Sequence, residues 1–163
     1  MSELYDSDFY GWTKAQSQLL KEEKWQAIDK LNLIEEIEAL GRQERRELIN
    51  RLGLLLGHLL KWQYQPEKHS NSWLATIREQ RTQIKRILAD SPSLKSYLEE
   101  ALKLSYEDGI NLAVKETNLP YETFGENCDY AMIEILDNEF LPNLSGEKEC
   151  KPDNPYPGQV STR

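Results

Sequence analysis

Between Asp29 and Pro66, Leu31, Ile34, Ile37, Gly41, Arg45, Leu48, Leu52, Leu55, Leu59 and Trp62 follow one another in alternating steps of three and four. Only an α-helix brings such positions onto one face. Asp29 can cap its start. Pro66 ends the run, because it has no N–H and pushes the preceding residue out of the helical region. So long a helix cannot bury its stripe against itself, and the rest of the chain must supply other helices. Gly41 is its weakest point and a site for a kink.

The flanking segments keep the same period. Asp6 or Asp8 caps a first helix with Phe9, Trp12, Gln16, Leu19 and Leu20 on one stripe. Ser70, Asn71 or Ser72 caps a third, with Trp73, Ile77, Ile84 and Leu88 toward the core. Arg78, Arg81 and Lys85 form a basic strip along its neighbouring edge. Ser91 and Pro92 open a fourth helix through Leu94, Tyr97, Leu98, Ala101, Ser105, Asp108 and Leu112, stopped at Asn118-Leu119-Pro120. A short fifth runs from Asp129 through Met132, Ile135, Leu136 and Phe140 to Pro142. No segment sustains a period of two. The predicted fold class is therefore all-α: one domain over residues 1–142, with four main helices around the long second one and a short C-terminal fifth. Residues 143–163, with Pro152, Pro155, Pro157, Gly146 and Gly158, have little to bury and read as a mobile tail.

Composition bounds the function classes. Net charge is −8, which argues against a general nucleic-acid coat protein. The charge is uneven: residues 68–86 hold five basic and one acidic side chain, and residues 97–163 hold five basic and fourteen acidic. The basic segment is expected to pair with acidic helices beside it. The apolar stretch from Leu52 to Leu60 is far short of the roughly 20 residues a membrane span needs, so it reads as core and no membrane partner is expected. The start, Met1-Ser2-Glu3-Leu4-Tyr5-Asp6, has no apolar signal segment, so a cytoplasmic location is expected. Cys128 and Cys150 lie far apart and form neither a metal pair nor a disulfide framework.

Several constellations could carry chemistry. Glu44, Arg51 and His58 are seven residues apart, nearly two turns, and share one edge of the long helix. An imidazole and a guanidinium together suit RNA cleavage: one moves the 2′-hydroxyl proton and the other stabilises charge on the phosphate. Arg51 and His58 also resemble the Arg-x4-6-His signature of HEPN nucleases, which are all-helical and often dimeric, although Leu52 stands where that signature has a polar residue. The plainer reading is a partly buried histidine satisfied by a neighbouring helix and an arginine in a salt bridge. Glu35 and Glu38 share a face, but no Glu-x-x-His exists, so these carboxylates are expected to pair with Arg42 or the basic strip; no metal or cofactor is expected. Arg45 and Asp108 fall on apolar stripes, where a charge needs a partner, and each other or Glu38 would serve. Lys61, Trp62, Lys68, His69 and Trp73 interleave basic and aromatic residues, a pattern that can stack bases but here falls on core positions. Gly53 and Gly57 are four apart, so another helix can approach closely there, either within the chain or in a homodimer.

Ordered stretches also resemble a known family. They are Tyr5-Asp6-Ser7-Asp8-Phe9-Tyr10-Gly11-Trp12, the run Asn32 to Gly41, the run His58 to Pro66, Ser72-Trp73-x-x-Thr76-Ile77-x-x-Gln80-Arg81, and Ser91-Pro92-Ser93-Leu94. Together they are similar to the hallmarks of the family catalogued as domain of unknown function 29, found mainly in photosynthetic bacteria. The resemblance spans about residues 4 to 142 and implies an all-helical domain, but no activity, cofactor or catalytic residue. The leading expectation is a non-enzymatic interaction or regulatory domain, self-associating through the Gly53/Gly57 face or binding another protein. The alternative is a metal-independent ribonuclease using Arg51 and His58 with Glu44, the one reading in which nucleic acid is a partner.

Overall fold

A computed structural model describes residues 2–143. Among them there is no strand; there are six α-helices, with 3₁₀ segments in every connection after the second helix. They are α1 (Ser2–Ser7), α2 (Phe9–Lys21), α3 (Lys30–Tyr64), α4 (Asn71–Asp90), α5 (Leu98–Thr117) and α6 (Met132–Leu136). Cys150 and the expected tail from 144 onward lie outside the described residues. The chain divides into two compact units, Met1–Leu48 and Ile49–Arg163, and α3 contributes residues to both. Because the division falls inside a helix, no linker composition marks it.

In the first unit, Asp8 caps α2 by accepting from the Gly11 N–H at 2.9 Å. A Cβ at Gly11 would run into that carboxylate, so the cap and the glycine go together. The rings of Tyr5 and Trp12 meet edge to face at 4.9 Å, and the Tyr5 hydroxyl donates to Glu36. Glu23, at φ 55°, closes α2 in the left-handed region while the Lys24 N–H reaches back to the Leu19 carbonyl at 3.0 Å. Asp29 then organises the start of α3. It accepts from Trp12 Nε1 at 3.2 Å, from Asn32 Nδ2 at 2.8 Å and from the Asn32 N–H at 3.4 Å, and its own N–H donates to Gln16 Oε1 at 2.8 Å.

In the second unit, the later part of α3 packs against α4 and α5. Leu52, Leu55, Leu56 and Leu59 are buried with Ile77, Ile84, Ala101, Ala113 and Ile135. Glycines bring α3 and α5 together. A Cβ at Gly57 would lie 3.0 Å from Leu112 Cβ, and one at Gly109 would lie 2.9 Å from Leu56 Cβ and 3.1 Å from the Gly57 backbone nitrogen. The close approach at Gly53 and Gly57 is thus made within the chain, and α5 covers the face that a homodimer would have used.

Several sequence expectations need correction. Leu31, Ile34 and Ile37, read as the start of the core stripe, are exposed; the stripe is buried from Leu48 to Leu59, and Trp62 is half-buried. Arg45 and Asp108 are also exposed, so neither is a charge in the core. Arg81, placed with Arg78 and Lys85 on a basic strip beside the core edge, is completely buried while the other two are exposed. Ser91 makes no side-chain cap, and Pro92 opens a 3₁₀ segment, Pro92–Tyr97, ahead of α5. α6 starts at Met132, where Glu134 accepts from the Ala131 N–H at 3.0 Å; Phe140 lies beyond its end.

Candidate functional site

Two of the residues with catalytic potential, Arg51 and His58, are engaged by their own fold. Arg51 is half-buried and its Nη1 donates to Gln80 Oε1 on α4 at 3.3 Å. His58 Nδ1 lies 2.9 Å from the Leu54 carbonyl, one turn back, so Nδ1 carries the proton and donates. Burial, with Lys61 close by, lowers the His58 pKa below its ordinary value, and the ring is neutral near pH 7. Along the helix axis Arg51 and His58 stand about 10 Å apart. Glu44 is exposed and belongs to the Met1–Leu48 unit. A ribonuclease would need Arg51 and His58 at one phosphate. Here Arg51 reaches toward α4, and His58 reaches back onto its own helix.

A second polar group lies one turn further along. Lys61 is 3% exposed; its ammonium pairs with the Glu116 carboxylate and sits 4.3 Å above the centre of the Trp73 ring. The Trp62 ring stacks on His69 at 3.5 Å, and His69 Nε2 lies 2.7 Å from the Trp62 carbonyl. Gln65 Nε2 donates to the Thr117 carbonyl at 3.3 Å. One face of each tryptophan is therefore covered from within the chain, and the basic–aromatic segment serves as packing between α3, α4 and α5.

Arg81 is the most specialised side chain of this unit. Its Nε donates to the Ile135 carbonyl at 2.8 Å, Nη1 to Asn138 at 3.4 Å and Nη2 to Phe140 at 2.8 Å. The planar fork thus gathers carbonyls at and after the end of α6, where the helix leaves acceptors without partners. Burial pulls its pKa down to about 10, opposed by the nearby Asp137, so it stays charged at neutral pH.

The acidic residues behave as helix-surface ion pairs. Arg42 lies 3.3 Å from Glu35 and 3.9 Å from Glu38, all exposed. Among the described residues, no three His, Cys, Asp or Glu side chains are placed to hold a metal ion. No helix among them is long and apolar enough to cross a membrane.

What sequence reasoning missed is an apolar face on the first part of α3. Leu31, Ile34, Ile37 and Leu40 are 82%, 48%, 66% and 63% exposed. Nine of the thirteen large apolar side chains exposed among the described residues lie in Met1–Leu48, where Trp12 and Leu48 alone are buried apolar residues. The sequence signal was present as the stripe itself, but the stripe does not say which of its halves the chain will cover.

The family described as Domain of unknown function DUF29 matches residues 4–141. The chain belongs to the DUF29 family. Neither curated proteins nor solved structures yielded a match. In this DUF29 chain the hallmark stretches do identifiable structural work. Asp8 caps α2, Tyr5 binds Glu36, Gln63 accepts from the Tyr130 hydroxyl, and Gln80 and Arg81 tie α4 to its neighbours.

Proposed function

We propose that this DUF29 protein is a non-enzymatic interaction domain whose working surface is the exposed apolar face of the Met1–Leu48 unit. The observation that carries this reading is the exposure of Leu31, Ile34, Ile37 and Leu40 along the first part of α3. Apolar residues at helical spacing cost solubility and add nothing to this chain's own core, so a large exposed set marks a surface to be covered by something else. Supporting it, the titratable groups that could do chemistry, His58, Lys61 and Arg81, are held by in-chain partners.

The test is thiol accessibility. With Cys128 and Cys150 replaced by serine, Ile37→Cys is expected to react quickly with a maleimide in dilute purified protein and slowly with a permeant maleimide inside cells. Equal reactivity in both settings would contradict the reading. RNA cleavage in chelator that disappears in His58→Ala would replace it with the ribonuclease alternative.

A further inference from the structure

We infer that the partner of this face is a second copy of the same chain, packed antiparallel so that two α2/α3 hairpins form a four-helix bundle. The inference rests on the interaction-domain reading and adds the identity of what is bound. Three observations carry it.

The Met1–Leu48 unit is a helical hairpin with almost no apolar interior of its own. Units near about 40 residues or below usually need a disulfide, a metal or oligomerisation to be stable, and Met1–Leu48 is little larger and buries only Trp12 and Leu48 among its apolar side chains. Neither cysteine falls within residues 1–48, and no metal-holding group occurs among the described residues. Association would supply the apolar burial that the unit lacks, and two hairpins pairing face to face is the simplest closed solution for amphipathic helices.

The apolar face is also continuous in period with a stripe that already packs helix against helix. Ile34 and Ile37 point the same way around α3 as Leu52, Leu55 and Leu59, which are buried, and Leu31 and Leu40 flank them on either side. A face built on that spacing fits another helix better than an extended peptide or a flat surface.

Charge sets the direction. The first part of α3 is acidic on balance, with Glu35, Glu36 and Glu38 against Lys30, and the stretch that follows is slightly basic, with Arg42, Arg45 and Arg46 against Glu44 and Glu47. Two parallel copies would set like charges side by side. An antiparallel pair centred on Ile37 and Leu40 instead places Glu35 and Glu36 of one copy level with Arg42 of the other. The chain's own residues 144–163, rich in proline and glycine and poor in large apolar side chains, fit this groove poorly.

Sedimentation of the full-length purified protein at increasing concentration tests the proposal. The expected result is a reversible dimer, with Ile37→Asp weakening association by about thirtyfold or more, as for a central apolar contact. Since that variant could also loosen the hairpin, a second measurement uses otherwise intact protein lacking Cys128 and Cys150. Leu40→Cys should then form a disulfide-linked dimer under mild oxidation. Leu31→Cys should not, because antiparallel copies hold those two positions roughly 20 Å apart. A monomer at about 100 μM, far above the micromolar Kd of a modest interface, would overturn the proposal. So would cross-linking at position 31 in place of 40. If a monomer in solution is nonetheless protected at position 37 in cells, the self-association fails and the interaction-domain reading stands.

Discussion

Replacing Arg81 with alanine is expected to destabilise the protein by about 3 kcal/mol or more, measured as a fall in the urea midpoint. The guanidinium is fully buried and donates to the carbonyls of Ile135, Asn138 and Phe140. Alanine would leave three acceptors without donors and a cavity the size of the lost side chain. Lysine should recover little, because one ammonium cannot span three carbonyls that a planar fork reaches together. Arg78→Ala, at an exposed position three residues earlier, should change stability by no more than about 0.5 kcal/mol. The loss in Arg81→Ala should be seen first as faster amide exchange over residues 132–140, since this contact holds that segment to α4.

A Cβ at Gly109 is the second large effect. It would meet Leu56 Cβ at 2.9 Å and the Gly57 nitrogen at 3.1 Å, and the latter is backbone that cannot rotate away. α3 and α5 would have to separate. In a helix, alanine ordinarily gains about 1 kcal/mol over glycine, yet Gly109→Ala should lose about 1–2 kcal/mol net in thermal or urea unfolding, and Gly109→Val more. Gly41→Ala provides the contrast. Nothing lies within 4 Å of a Cβ there, so dilute protein should gain up to about 1 kcal/mol.

These two positions also mark what the sequence can and cannot convey. Helix existence follows from local rules, and Asp8, Asp29 and Ser70 cap helices as their spacing predicts. The period of α3 was equally legible. Coverage was not, because Ile37 and Leu55 occupy equivalent stripe positions and only the tertiary fold buries one of them. Arg81 was misplaced for a related reason. Spacing puts it near Arg78 and Lys85, but nothing local reveals that carbonyls from residues 135–140 converge on it. The Gly53/Gly57 pair announced a close helix crossing correctly, while the sequence left open that α5, with Gly109, would be the helix that crosses there. For the candidate site, the Arg51–His58 spacing could be read directly, whereas their partners Gln80 and Leu54 became visible only in three dimensions.

The central claim is that this DUF29 chain works through the apolar face of its first unit. A photo-crosslinking amino acid placed at position 37 in living cells tests it most directly, with position 78 on the exposed side of α4 as the control. Irradiation should give a discrete protein adduct from position 37 and none from position 78. No adduct at position 37, or the same adducts from both positions, would contradict the account.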